Sequence, residues 1–217
     1  MEIAVLGTGT VGRALAARLD QLGHTVTLGT RDPAATATRD EYAAWAATAS
    51  GVRLATFAEA TSAADLLVNA SSGAVTLDVL RQARAGERAG VVLVDISNPL
   101  DFSAGFPPTL SVKDTDSLGE QVQREFPGLR VVKALNTLTA DLMVHPGSLP
   151  EPTTVFVCGD DADARATVAD LLRSFGHADV LDLGDLSSAR GTEMFLPLWL
   201  RIMGSLGTAS FNIRVVR

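Results

Sequence analysis

Short apolar runs alternate with helical patterns along most of this chain. Ile3-Ala4-Val5-Leu6 is followed by Gly7-Thr8-Gly9-Thr10-Val11-Gly12 and then by leucines at 15, 19 and 22. An unbroken apolar run bounded by turn residues reads as a strand covered on both faces, and leucines three and four apart mark one side of a helix. The pattern predicts a strand from residue 2, a helix of about three turns, and a second strand over His24 to Leu28. Further along it predicts an alanine-rich helix over 33–50 and strands over 52–55, 65–70, 91–95, 130–135, 154–157 and 179–183. Helices are predicted over 74–84, 117–126 and 163–175, and the Pro-, Ser- and Gly-rich stretch 97–112 is the longest loop.

Repeated alternation of buried strands with helices predicts an α/β protein, a Rossmann-type doubly wound sheet that is mostly parallel. The C-terminal segment differs in kind. From Ser187 to Leu206 the pattern is helical but apolar on more than one face, with Met194, Phe195, Leu196, Leu198, Trp199, Leu200, Ile202, Met203 and Leu206. Such a helix wants burial on several sides, and Pro197 is expected to kink or split it. The chain therefore divides into a nucleotide-binding Rossmann domain over 1–185 and a short apolar helical extension over 186–217. The extension is expected to pack on that domain and to lie at a dimer interface.

The glycine motif sits where a dinucleotide needs it. Gly7 can make the tight turn, Gly9 lets backbone approach a pyrophosphate, and Gly12 lets the helix pack on the strand, with the helix N-terminus facing the anion. At the end of the second strand an NAD site places a carboxylate on the ribose 2′-hydroxyl. This chain reads Leu28-Gly29-Thr30-Arg31 there. A hydroxyl and a forked guanidinium suit a 2′-phosphate, so NADP is favoured over NAD. Asp32 competes as a ribose acid, but Asp32-Pro33 also reads as an N-cap with proline at the first helical position.

Composition narrows the picture. A net charge of −7 and a pI near 4.9 leave no electrostatic footprint for nucleic acid. No apolar run approaches the ~20 residues of a membrane span. The single cysteine, Cys158, lies within an apolar strand and is expected to be buried rather than nucleophilic. These features suit a cytoplasmic protein. Carboxylates at 160, 161 and 163 precede a helix and complement its N-terminus, so no metal is expected. His24, His145 and His177 fall at strand starts or turns and are read as surface or turn residues.

Ligands of open α/β sheets sit beyond the carboxyl ends of the strands. Those ends are Gly7 to Gly12, Thr30-Arg31, Ala70-Ser71-Ser72, Ser97-Asn98-Pro99-Leu100 and Asn136-Thr137-Leu138. None carries an obvious general acid or base. Hydride transfer to an acceptor that is itself a redox coenzyme asks mainly for two rings held in register, and small and apolar residues suffice for that.

Several segments together resemble the NADPH-dependent coenzyme F420 reductases and the small dinucleotide-binding reductases around them. They are Gly7 to Gly12, Gly29-Thr30-Arg31, Val132-Lys133-Ala134-Leu135-Asn136-Thr137, Val157-Cys158-Gly159-Asp160-Asp161, Asp182 to Arg190 and Pro197-Leu198. The resemblance implies hydride transfer between NADP(H) and the deazaflavin coenzyme F420. It implies Thr8, Thr10 and Val11 at the pyrophosphate, Thr30 and Arg31 at the 2′-phosphate, and Ala70 with Asn136, Thr137 and Leu138 near the nicotinamide. Asn98, Pro99, Leu100, Leu200 and Met203 would form the deazaflavin side, and a homodimer would bury the terminal helix. The chain departs from the better-known members in having Ser71-Ser72-Gly73 in place of bulky Pro-Trp and Asn136 in place of His. It also has Ala34 and Ala35 where they place a further basic residue. Two alternatives stay open on the residues alone: an NADPH-dependent reductase of a flavin, ferric chelate, carbonyl or imine, and a non-enzymatic NADP sensor.

Overall fold

Two buried strands and the helix between them set the frame. The computed structural model describes residues 1–217. In it β1 (Glu2–Leu6) and β2 (Thr25–Thr30) run parallel, with Ile3 opposite Val26 and Leu6 opposite Gly29. They are joined by α1 (Thr10–Gln21), which buries Leu15, Ala16 and Leu19. Successive strand residues point to opposite faces, and the core divides accordingly. Ile3 and Val5 join a 27-residue cluster on one side of the sheet. Ala4 and Leu6 join an 18-residue cluster on the other. Both faces are covered, which is why the strands read as unbroken apolar runs. Each fully buried leucine, such as Leu67, contributes roughly 1.5–3 kcal/mol.

The chain continues through α2 (Pro33–Ala37), α3 (Asp40–Ala46), β3 (Arg53–Thr56), α4 (Phe57–Thr61), β4 (Leu66–Asn69), α5 (Thr76–Gln82) and β5 (Val92–Asp95). A small hairpin of β6 (Leu100–Asp101) and β7 (Thr109–Leu110) precedes α6 (Leu118–Glu125), β8 (Arg130–Ala134), α7 (Ala140–Val144), β9 (Thr154–Cys158), α8 (Ala162–Phe175) and β10 (Asp179–Asp182). Last come α9 (Ala189–Met194) and α10 (Leu196–Leu206). The eight-stranded sheet has the order β3-β2-β1-β4-β5-β8-β9-β10. It is parallel from β3 to β8, and β9 reverses, pairing Lys133 with Cys158 in antiparallel register. This is the mostly parallel, doubly wound Rossmann architecture. No helix is long and apolar enough to cross a membrane.

Several elements differ from the sequence expectation. The single helix over 33–50 is two helices, broken where Arg39 adopts extended backbone. The 97–112 loop contains the β6–β7 hairpin, pairing Leu100 with Leu110. Helices α4 and α7 escape detection because one and a half turns show no periodicity. Pro197 splits the terminal helix by starting α10 within its first two positions, and the helical part ends at Gly207 in left-handed backbone. Beyond it the chain forms neither helix nor strand, with the Ile213 carbonyl accepting from the Thr154 amide and Arg217 paired with Asp179. His177 is no surface residue. It is 3% exposed, with Nε2 2.9 Å from the Met143 carbonyl.

Candidate functional site

The glycine turn shows why each glycine is needed. Gly7 has φ +120°, and a Cβ there would lie 2.7 Å from the Ala70 carbonyl oxygen. A Cβ on Gly12 would lie 1.9 Å from the Gly7 oxygen, whereas one on Gly9 would meet no protein atom within 4 Å. Gly9 is the N-cap of α1, and the first helical bond runs from the Arg13 amide to the Gly9 carbonyl. The amides of Thr10, Val11 and Gly12 are thus free of helical partners. No side chain caps this end, and no carboxylate lies in the first turn. Open space over Gly9 beside uncapped amides is a cradle for a pyrophosphate.

At the end of β2 the Thr30 hydroxyl meets that of Thr36 at 2.9 Å, both buried. Asp32 accepts from the Ala35 amide at 2.9 Å and so caps α2 rather than facing a ribose. A cavity of about 490 Å³ opens beside the turn, lined by Thr8, Gly9, Thr10, Arg13, Thr36, Arg39, Asp40, Glu41 and Tyr42. Thr30 lies behind Thr36, and Arg31 is exposed and lines no part of the cavity. Arg39 does line it. No local pattern in the sequence marks Arg39 for this place.

The second cavity, about 230 Å³, lies where β1, β4, β5 and β8 end. Val11, Ala70, Ser71, Asn98, Leu100, Asn136, Thr137 and Leu138 meet there, as their positions at strand ends foreshadow. The other lining residues are Ser72, Gly73, Ile96, Ser97, Phe102, Met143, Leu196 and Trp199. Pro99 is buried outside the lining. Leu200 faces a separate groove, and Met203 lines neither space. On a helix, residues three apart share a face, so α10 turns Leu196 and Trp199 to the cavity in their place.

Amides fix the floor of this cavity. Asn136 Nδ2 donates to Asn98 Oδ1 at 2.9 Å and to the Thr192 carbonyl at 3.0 Å, and Asn98 Nδ2 donates back to the Asn136 carbonyl at 2.8 Å. Leu135 holds φ +59° just before Asn136, a left-handed conformation that a bulky residue adopts only when its surroundings impose it. A Cβ on Gly73 would lie 1.9 Å from the Asn98 carbonyl oxygen, so only glycine permits that approach.

Beneath the floor lies a charge cluster that reading strand ends one at a time did not reveal. Lys133 Nζ donates to Asp95 Oδ2 at 2.8 Å, to Glu193 Oε1 at 2.7 Å and to the Ser97 carbonyl. All three side chains are sealed from solvent. Asp95 also accepts from Asn69 and Ser97, and Glu193 accepts from the Leu118 and Gly119 amides at the start of α6. Burial pushes the Lys133 pKa down, but the two carboxylates outweigh it and hold it above the ordinary lysine value. Burial pushes the neighbouring Cys158 thiol up to about 12, which keeps it protonated and inert.

The family described as NADP oxidoreductase, coenzyme F420-dependent, matches residues 2–99. The crystal structure of a provisionally designated F420-dependent NADP-reductase from Arthrobacter sp. FB24 is 55% identical, with a TM-score of 0.98 over all of both chains. This chain belongs to that family. The F420-dependent NADP reductase of Methanothermobacter marburgensis is 29% identical over 211 residues, 93% of this chain and 92% of its own length. Metalloreductase STEAP3 of Rattus norvegicus is 30% identical over 208 residues, 91% of this chain, and this chain spans only 38% of its length. As an NADP oxidoreductase of this family, the protein is an enzyme rather than a nucleotide sensor. The uncapped turn and a β2 end without a free carboxylate fit that cofactor.

Proposed function

We propose that the enzyme transfers a hydride between NADP(H) and coenzyme F420. The observation that carries this reading is the lining of the 230 Å³ cavity, in which none of the 16 residues is ionisable. When bound, the two coenzymes supply both halves of the redox exchange, so the protein's task is to bind, orient and exclude water. The uncapped amides of Thr10, Val11 and Gly12 hold the pyrophosphate, with Thr8 beside them. Ala70, Ser71, Asn136, Thr137 and Leu138 receive the nicotinamide end. Asn98 and Leu100, backed by Pro99, and the Leu196 and Trp199 face of α10 form the acceptor side. Trp199 is held there by stacking on Phe211, with ring centroids 5.2 Å apart.

The reading includes a homodimer, supported by Leu198 and Leu206 of α10, which stand 55% and 57% exposed. It also places the enzyme in the cytoplasm, where a lone buried thiol stays reduced. A second reading, reduction of a ferric chelate or flavin, is favoured by the similarity to a protein named as a metalloreductase. One assay separates the two. Purified enzyme is mixed with NADPH and oxidised coenzyme F420, and deazaflavin absorbance is followed with flavin and ferric chelates as parallel acceptors. Rapid loss of deazaflavin absorbance is expected; turnover of the other acceptors alone would replace the first reading with the second.

A further inference from the structure

Most cations of the molecule meet a protein oxygen, and the exceptions are informative. The chain has 18 lysines and arginines against 25 carboxylates. Fourteen of these cations make an ion pair or hydrogen bond to a protein oxygen. The four that do not are Arg31, Arg39, Lys113 and Arg201. Arg31 and Arg39 belong to the nucleotide end, where an anion is expected. Lys113 and Arg201 line one groove of about 400 Å³ between the β6–β7 hairpin and α10, and no carboxylate lines it with them.

The same two elements wall this groove and the acceptor side of the active cavity. Leu100 of β6 faces the cavity, and its cross-strand partner Leu110 faces the groove. Helix α10 gives Leu196 and Trp199 to the cavity, and Pro197, Leu200 and Arg201, at i, i+3 and i+4, to the groove. A single seam of hairpin against helix separates the apolar ring site from two unneutralised cations. In a chain of net charge −7 the overall field repels anions, so an anionic ligand needs a local positive site to be held.

We propose that this groove receives an anionic extension of the hydride acceptor, a tail bearing phosphate or carboxylate groups. Arg201 supplies a planar fork for it and Lys113 a point charge. The inference rests on the deazaflavin reading above and deepens it from the ring to the tail.

The test compares intact coenzyme F420, whose ring carries a phosphodiester and glutamyl tail, with 8-hydroxy-5-deazariboflavin, the same ring system without that tail. Wild-type enzyme is expected to prefer the tailed acceptor in kcat/KM, with a preference that shrinks as salt is raised. Lys113→Ala and Arg201→Ala should each lower the preference about threefold to tenfold through KM. Lys113→Glu combined with Arg201→Glu should abolish it. NADPH binding by the same preparations, followed by fluorescence, reports that the fold is intact. Equal use of the two acceptors by wild type, or a preference that every substitution leaves in place, would overturn the proposal. Failure of both acceptors with NADPH still bound is a different result: it removes the deazaflavin reading, and the tail site with it.

Discussion

Lys133 Nζ lies 2.7 Å from Glu193 Oε1, and neither side chain reaches solvent. This pair fastens α9 to the end of β8, and α10, which walls the cavity, follows directly from α9. Its energetics are lopsided. Two carboxylates, Asp95 and Glu193, share one ammonium, so losing the cation leaves two buried like charges. Lys133→Met is expected to cost about 3–5 kcal/mol at neutral pH. Glu193→Gln leaves Lys133 paired with Asp95 and keeps an acceptor oxygen for one of the two α6 amides, while its NH2 group leaves the other amide unsatisfied, so it should cost less, about 1–3 kcal/mol. Urea unfolding of both variants checks the ranking, and equal costs would refute it.

Gly9 separates ligand space from protein packing. A Cβ at this position touches nothing in the protein, so Gly9→Ala should unfold at the wild-type denaturant midpoint. If a pyrophosphate occupies the space, the same methyl group should weaken NADPH about tenfold or more. Unchanged NADPH affinity by titration calorimetry would place the dinucleotide elsewhere.

Arg39 lines the cavity beside the glycine turn, whereas Arg31 does not. Arg39→Ala should raise the KM for NADPH about tenfold and leave NADH use nearly unchanged. Arg31→Ala should act in the same direction but less. Steady-state kinetics with both cofactors decides the matter; parallel losses for NADPH and NADH would show that neither guanidinium reads the 2′-phosphate.

His177 predicts an acid limb to stability. Burial is the main cause that lowers its pKa below 6.5, opposed by the contact with the Met143 carbonyl. The unfolded chain therefore binds the proton more readily than the native one. The stability that comes from keeping this ring neutral is complete above about pH 6.5 and is lost as pH falls from there toward the lowered native value. The slope is at most about 1.4 kcal/mol per pH unit. Unfolding free energies measured across that range should show the decline in wild type and a shallower one in His177→Gln.

Legibility followed the range of the interactions involved. The glycine turn, the parallel strands and Asp32 as a cap rest on residues within a few positions of one another, so a local pattern carries them. The Lys133 cluster joins residues 38 and 60 positions apart in sequence, and each alone looks ordinary. On α10 a helix apolar all round offers no clue to which face meets the cavity. Leu200 and Met203 were as plausible there as Leu196 and Trp199 until packing against the β6–β7 hairpin chose. Arg39 was hidden because alanines on both sides of it read as one helix, and the break that brings it to the cavity depends on how α2 and α3 pack.

By itself the amino-acid sequence determined a doubly wound α/β fold with a dinucleotide turn at the first strand end. Unbroken apolar runs of strand length and glycine stereochemistry act over a few residues and leave few alternatives. Only the tertiary structure decided which side chains meet: the buried lysine between two carboxylates, the face of α10 on the cavity, and the pair of free cations in the neighbouring groove. Desolvation and charge pairing depend on distances between remote segments, and those distances exist only once the sheet, hairpin and terminal helices have packed.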